Sequence, residues 1–223
     1  MTTVKEKSIL FSGPMVRAIL EGRKTQTRRV LKKPENYGCP TGDCPHDTQD
    51  QCNKAMQSLC PYGNVGDRLW VREAFNVYNE PTALEAAQRT QAFEKLCSGE
   101  EKDIVKLALE IPLPTGKKKV MYKADYGAWA DNPDSDLKWK SSIHMPRWAS
   151  RITLEITSIR VERLQDISEE DAKAEGVDCL DVIWASIPEP SYKGKFKWLW
   201  ESINGPGLWD LNPWVWVIGF KRV

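Results

Sequence analysis

The segment WVWVIGF, residues 214–220, most restricts the folds open to this chain, because it reads as a strand with apolar side chains on both faces. Such a strand is expected to lie buried inside a sheet. Residues 151–164, RITLEITSIRVERL, alternate apolar and polar side chains and predict a second long strand. The phase of this alternation slips after Ile156, which predicts a β-bulge or bend near Thr157 and Ser158.

Shorter strands and helices are predicted from composition and from their start and stop residues. Strands are expected at 9–11, 25–30, 66–75 and 120–124. Helices are expected after Ser12-Gly13-Pro14, at 168–176 with Ser168 as N-cap, and around 196–203. Because strands and helices do not alternate regularly, we expect an α+β fold, either a small β-barrel or a mixed sheet, with short helices at its openings.

The chain has 223 residues, which fits a single domain spanning 1–223 with two insertions. Residues 34–64 are rich in Pro, Gly, Asn, Asp and Cys, and residues 80–117 have helical composition. Ten tryptophans and 41% hydrophobic residues favour a folded globule. There is no apolar run of about 20 residues and no secretory signal pattern, so we expect a cytoplasmic protein without a membrane partner.

Positive charge is concentrated at the beginning of the chain. Residues 1–33 contain nine lysines and arginines against Glu6 and Glu21, whereas the whole chain has a formal net charge of +1. The densest part is GRKTQTRRV at 22–30. This asymmetry favours local attraction to phosphate, although a solvated basic surface would give the same pattern.

Four cysteines fall within 22 residues of the first insertion, and four thiolates suit a tetrahedral Zn²⁺ ion. These are Cys39, Cys44, Cys52 and Cys60. Their spacing is looser than the usual C-x2-C pair, and His46 would be an alternative ligand. A structural zinc site is the leading interpretation, with free thiols and disulfides as the alternatives.

Several motifs together resemble the ASCH domain, a relative of the PUA-type RNA-binding β-barrels. They are GRKTQTRR after a short helix, then GDRLWVRE, then LQDISEEDAKAEG after a strand, and finally the terminal apolar strand. The resemblance covers residues 8–30, 63–74, 119–176 and 194–223. With ILFSGPMVRAILEG, IHMPRWASRITLEI and ESINGPG, the chain is similar to the longer ASCH proteins of tailed phages and prophages. This resemblance implies a PUA-like barrel.

Some small bacterial ASCH proteins are amidohydrolases that remove the acetyl group from N4-acetylcytidine. They use a lysine, a threonine three residues later and a glutamate in the short helix, without a catalytic cofactor. The resemblance therefore implies Lys24, Thr27 and Glu175 as catalytic residues. Other ASCH members are proposed RNA binders or ribonucleases.

Chemistry sets conditions on these three residues. Thr27 would be the nucleophile, and Lys24 would have to be neutral to accept its proton, which requires its pKa to fall by about 3 units from about 10.4. Glu175 would carry a proton to the leaving amine or hold Lys24 in an ion pair, and the second role would raise the lysine pKa and oppose its action as a base. In a regular strand, however, Lys24 and Arg28 would share one face and Thr27 would lie on the other. Only a bulge or turn at 24–26 would relieve this conflict.

Other residues are candidates for binding the substrate or a nucleic acid. They are Ser12, Arg23, Arg28 and Arg29 near the first motif, and His144, Arg147 and Trp148 in the long irregular loop 125–149. Aromatic and polar side chains of this kind can stack on a base and bond to its edges, and they can equally be packing residues. For Lys24 and Thr27 the alternative is a phosphate-binding strand end.

Three classes of function are consistent with these features. The leading one is a protein that binds a nucleobase, nucleoside or single-stranded nucleic acid, RNA rather than DNA, and hydrolyses an amide on it. The rival is a nucleic-acid-binding module without catalysis. The third is a phage assembly or host-interaction protein that uses the helical insertion as its contact surface. The sequence does not determine the oligomeric state.

Overall fold

The computed structural model describes residues 4–32, 58–79, 118–126, 138–177 and 191–223. The predicted helical insertion at 80–117 lies outside the described residues, as does most of the cysteine-rich insertion at 34–64. Both insertions therefore stay predictions.

The described residues contain seven strands and three α-helices. The strands are β1 (Glu6–Leu10), β2 (Gln26–Val30), β3 (Arg68–Arg72), β4 (Phe75–Asn79), β5 (Lys118–Tyr122), β6 (Thr153–Arg163) and β7 (Trp214–Arg222). The helices are α1 (Gly13–Leu20), α2 (Glu169–Ala174) and α3 (Tyr192–Asn204). Within these ranges, no helix is long and apolar enough to cross a membrane.

Five of the strands form one sheet in the order β1-β3-β6-β7-β2, and β4 pairs with β5 in a second, two-stranded sheet. β1 and β3 are parallel, whereas β3, β6, β7 and β2 pair antiparallel in turn. β7 lies between β6 and β2, and Val215 to Phe220 are all buried. The prediction of a buried terminal strand is confirmed.

Each face of β7 belongs to a different part of the core. Trp216 and Ile218 pack in a cluster that includes Val16 and Ile19 of α1. Val215 and Val217 pack in a second cluster with residues of α2 and α3. We call these the α1 face and the α3 face of the sheet. A strand apolar on both sides is stable here because helices cover both faces.

The α+β class is confirmed, since the described residues form a mostly β structure with few helices. No closed barrel is found among the described strands, and β1 and β2 stand at the two ends of the five-stranded order. The PUA-like barrel that the resemblance implies therefore stays a prediction.

Two strand features that are predicted from the sequence can be compared with the structure. The register of β6 against β7 shifts between Ile156 and Ser158, where the bulge is predicted. Gly219 faces this bulge, and a Cβ at this position would collide with the Ser158 hydroxyl. The strand predicted at 66–75 ends at Arg72, and β4 begins at Phe75. Between them, the buried Glu73 accepts hydrogen bonds from Arg151.

Candidate functional site

The residues of the first motif leave α1 through a tight turn before they enter β2. Gly22 takes a left-handed conformation with φ of 76°. The N–H groups of Arg23 and Lys24 both donate to the Ala18 carbonyl, at 2.9 and 3.0 Å. The Thr25 N–H donates to the Ala174 carbonyl at 2.9 Å. Lys24 therefore lies in a connection pinned between α1 and α2, ahead of β2.

The short helix α2 presents Glu175 to Lys24. Ser168 caps it by accepting a hydrogen bond from the Asp171 N–H, as predicted. Glu175 comes directly after the last helical residue, and Gly176 then turns the chain with φ of 79°. A Cβ at Gly176 would stand 2.9 Å from the Cβ atoms of both Ala18 and Lys24. This close packing sets the Glu175 carboxylate beside the Lys24 ammonium.

Lys24 and Glu175 form a buried ion pair. Lys24 Nζ donates to Glu175 Oε2 at 2.7 Å and to the Glu175 carbonyl oxygen at 2.8 Å. The exposed fraction is 0% for the Lys24 side chain and 3% for that of Glu175. The structure thus brings together two of the three predicted catalytic residues. It also shields Lys24 from solvent, which leaves it unsuited to hold a phosphate at the surface.

Arg28 binds the other oxygen of the same carboxylate. Its Nη1 donates to Glu175 Oε1 at 3.2 Å, and its Nη2 reaches Glu162 and Asp171 at 2.5 and 2.8 Å. Burial alone would lower the pKa of Arg28, but the Glu175 and Glu162 charges offset it and raise that pKa above its ordinary value. Because the protein's own carboxylates neutralise Arg28, its guanidinium is a poor candidate for binding an external anion.

Strand pairing decides which side chains share a face. Thr27 and Arg29 pair with Ile218 and Trp216, so they lie on the α1 face, whereas Arg28 pairs with Val217 and lies on the α3 face. The Lys24 ammonium stands 5.7 Å from the centre of the Phe11 ring, which also lies under Arg29. Lys24 is therefore on the side of Thr27. The expected register conflict does not arise, because β2 begins only at Gln26.

A cleft of about 440 Å³, counted with its open mouth, runs beside these residues. Its walls come from β2, from α3, from α1 and from the end of α2. They consist of Met15, Thr27, Arg28, Arg29, Val30, Glu175, Phe196, Leu199, Trp200, Ile203 and Asn204. Thr27 and Glu175 therefore line one cleft, and Glu175 binds Lys24.

Three residues of the cleft wall carry buried nitrogen atoms that lack a hydrogen-bond partner in the described structure. They are Arg28 Nε, Arg29 Nε and Trp200 Nε1. Burial lowers the pKa of Arg29, and the nearby Tyr62 and Glu175 charges oppose this. Among the described residues Arg29 forms no ion pair; its Nη2 donates to the Leu10 carbonyl.

The structure places the remaining predicted binding residues elsewhere. Ser12 is an exposed N-cap of α1, and Arg23 pairs with Glu21; neither lines the cleft. His144, Arg147 and Trp148 are exposed in two 3-10 turns, and Arg147 binds Glu6 of β1 at 3.1 Å. None of these loop residues lines the cleft.

The predicted zinc ligands are only partly described. Cys60 is buried in the core of the α1 face, and burial raises the pKa of its thiol. Cys39, Cys44 and Cys52 lie outside the described residues. In the described ranges no group of three or more His, Cys, Asp or Glu side chains could hold a metal. The zinc site stays a prediction.

Sequence reasoning missed one wall of the cleft and the anchors of Arg28. The spacing of Phe196, Leu199 and Trp200 predicts a helix, but nothing in the sequence indicates that this helix faces β2. Glu162 and Asp171 sit in a predicted strand and a predicted helix, where acidic residues are usually solvated. Their convergence on Arg28 depends on the pairing of β6, β7 and β2.

Comparison with protein-family models, with curated proteins and with solved structures finds no match to this chain. The likeness to the ASCH domain therefore depends on the sequence motifs alone. Function has to be argued from the geometry of the cleft.

Proposed function

We propose that the cleft binds a nucleobase, as a nucleoside or within single-stranded nucleic acid, and that Lys24, Thr27 and Glu175 hydrolyse an acyl amide on it. The observation that carries this proposal is the buried Lys24–Glu175 pair at a cleft that Thr27 also lines. A hydroxyl, an amine and a carboxylate at one partly enclosed site are the groups that acyl transfer needs.

The ion pair offers a way to a neutral lysine. In the resting pair the carboxylate stabilises the ammonium form, which opposes the role of a base. A proton moved from Lys24 Nζ to Glu175 Oε2 gives a neutral amine and a neutral acid, and burial favours such an uncharged pair. The free base and the free acid are then created in one step.

Acyl transfer takes place in two stages, acylation of Thr27 and hydrolysis of the Thr27 ester. Thr27 Oγ1 bonds to the acyl carbon and its proton goes to Lys24 Nζ. The carbon–nitrogen bond then breaks, and the leaving amine takes the proton of Glu175. A water molecule repeats the sequence on the Thr27 ester, which releases the carboxylic acid and restores the hydroxyl and the ion pair.

The test uses N4-acetylcytidine and follows the release of cytidine by chromatography. Thr27→Val keeps the shape of a buried residue on the apolar α1 face and removes only the nucleophile. We expect it to lower kcat by at least about a thousandfold, and Lys24→Met and Glu175→Gln to do the same. Thr25→Val is the matched control, because Thr25 is exposed and outside the cleft.

Thr25→Val should retain wild-type turnover. Undiminished activity of Thr27→Val, in a protein that unfolds at the same denaturant concentration as wild type, would exclude the acyl-threonine route. A wild-type protein that binds cytidine but releases none from N4-acetylcytidine would exclude hydrolysis of this nucleoside.

A second candidate function is binding of the base without catalysis. The same ion pair favours it, because two hydrogen bonds from Lys24 to Glu175 hold the lysine as an ammonium ion. This candidate predicts that Thr27→Val binds single-stranded RNA and nucleosides as tightly as wild type, with no turnover by either protein.

A further inference from the structure

Among the described residues, no strand pairs with the outer edge of β2, which borders the cleft. The Thr25 carbonyl accepts a hydrogen bond from the Phe220 N–H at 2.8 Å, and the Leu31 N–H donates to the Trp214 carbonyl at 2.9 Å, in one unbroken register with β7. In an antiparallel pair the bonded residues alternate, so the odd-numbered residues of β2 point their N–H and C=O groups at β7. The main-chain groups of Gln26, Arg28 and Val30 therefore point away from the sheet.

The cleft lies along this edge. Four consecutive residues, 27–30, line it, whereas a cleft on one face of a strand would meet only every second residue. Its other walls come from both faces of the sheet, with Met15 of α1 on one side and α3 on the other. Among the described residues no backbone group bonds to the N–H or C=O of Arg28.

Only a short length of the edge is open. The Thr25 N–H donates to Ala174, and the Gln26 side chain donates to the Asp171 carbonyl at 2.8 Å. The end of α2 therefore covers the first part of this edge. Among the described residues, the main-chain groups of Arg28 and Val30 stay uncovered. A peptide strand needs several consecutive open residues to pair, whereas a single small molecule needs one.

The outer wall of the cleft is apolar. Phe196, Leu199, Trp200 and Ile203 of α3 line it, and Ile203 is 53% exposed at its mouth. A flat, apolar ring surface can pack against such a wall, while a phosphate or an aliphatic polyol cannot. The exposed edge of β2 and the apolar wall of α3 together favour a planar heterocycle as the ligand of the cleft.

We propose that the main-chain N–H and C=O of Arg28 read a neighbouring acceptor and donor on the edge of a planar heterocycle, such as N3 and N4–H of a cytosine, while α3 packs on the ring. This inference rests on the proposed function, because it names the ligand class of the same cleft. Selectivity would then come from backbone groups that side-chain substitution leaves in place. Arg28 itself is a positioning residue, fixed by its three carboxylates.

The experiment measures binding of nucleosides that undergo no hydrolysis, by calorimetry on the full chain. Cytidine is compared with 3-deazacytidine, which lacks the ring acceptor, and with N4,N4-dimethylcytidine, which lacks the donor. We expect each analogue to bind at least about tenfold more weakly, because each leaves one buried main-chain group unpaired. Ile203→Ala should weaken cytidine and both analogues by a similar factor, and Leu211→Ala, which is 70% exposed and outside the cleft, should change nothing.

Binding of both analogues as tight as that of cytidine overturns the inference, even if N4-acetylcytidine is hydrolysed. Loss of binding with both analogues supports it, even if no hydrolysis occurs and the amidohydrolase proposal fails. Failure of cytidine itself to bind at millimolar concentration also overturns it.

Discussion

The environment of the Lys24 side chain is set by residues distant in sequence rather than by its sequence neighbours. Among the cations of GRKTQTRRV it looks like one more basic residue. In the folded chain its side chain is wholly buried and its ammonium group meets both the carboxylate and the carbonyl of Glu175. Removing either partner would leave the other charge buried without a counter-charge, which would strongly destabilise the fold.

Asp67 shows the opposite case, a carboxylate held by the backbone. It accepts hydrogen bonds from the N–H groups of Lys5 and Asn64, both at 2.9 Å, and these bonds hold the Asp67 pKa below its ordinary value of 3.8. A carboxylate with a lowered pKa in the folded state stabilises the protein above its ordinary pKa. That contribution is lost as the pH falls through the lowered value.

We expect Asp67→Asn to lower the free energy of unfolding by about 1 kcal/mol at pH 7, because one of the two hydrogen bonds is lost. The difference from wild type should shrink below about pH 4, where the wild-type carboxylate becomes protonated. Urea denaturation between pH 2 and pH 7 measures both effects. Asp210→Asn is the control at an exposed position, and a gap that stays constant with pH would contradict the assignment.

α2 shows how one short element positions a site. Its length and N-cap can be predicted from SEEDAKAEG, because capping is a local interaction. Its function depends on the two residues after it, since Glu175 lies at the helix end and Gly176 forms a left-handed turn pressed against Ala18 and Lys24. The contact with α1 is not visible in either motif, since the two are about 150 residues apart in sequence.

Substituting two glycines distinguishes the free-energy cost of a left-handed backbone turn from the cost of a close side-chain contact. Gly22 and Gly176 both have positive φ, at 76° and 79°, but nothing lies within 4 Å of a Cβ at Gly22. Gly22→Ala should cost about 1 kcal/mol of unfolding free energy, from backbone strain alone. Gly176→Ala should cost about 2 kcal/mol more, because its methyl group meets two Cβ atoms at 2.9 Å.

Denaturant unfolding measures this difference, and Gly176→Ala should in addition impair the cleft. Equal losses for the two substitutions would show that α2 and Lys24 are not in tight contact.

A second charge cluster, built around the buried Glu73, connects the two sheets. Arg151, just before β6, binds Glu73 at 3.0 Å through two nitrogen atoms and Asp125 at 2.7 Å. Its guanidinium also stacks on Tyr122 of β5, 3.9 Å from the ring centre. Glu73 lies just after β3 and Asp125 just after β5, so one side chain joins the main sheet to the β4–β5 pair.

Arg151→Met should lower the free energy of unfolding by about 3 kcal/mol, because it leaves the buried Glu73 without its partner. In this variant, the amide hydrogens of β4 and β5 should lose more protection against exchange than those of β6 and β7. Nucleoside binding in the cleft should be retained. Arg147→Ala, which breaks an exposed pair with Glu6, should leave the free energy of unfolding close to that of wild type. Uniform loss of protection in both sheets would argue against a local tie.

The sequence by itself determined the buried terminal strand, the bulge in β6, the capped helix α2 and the α+β class. These features depend on the periodicity and capping of neighbouring residues, so local physical chemistry suffices to predict them. Only the tertiary structure decided that Lys24 meets Glu175, that Arg28 and Thr27 lie on opposite faces of β2, and that α3 forms a wall of the cleft. Those relations join residues far apart in sequence through strand order and register, and no local pattern encodes which strand becomes the edge.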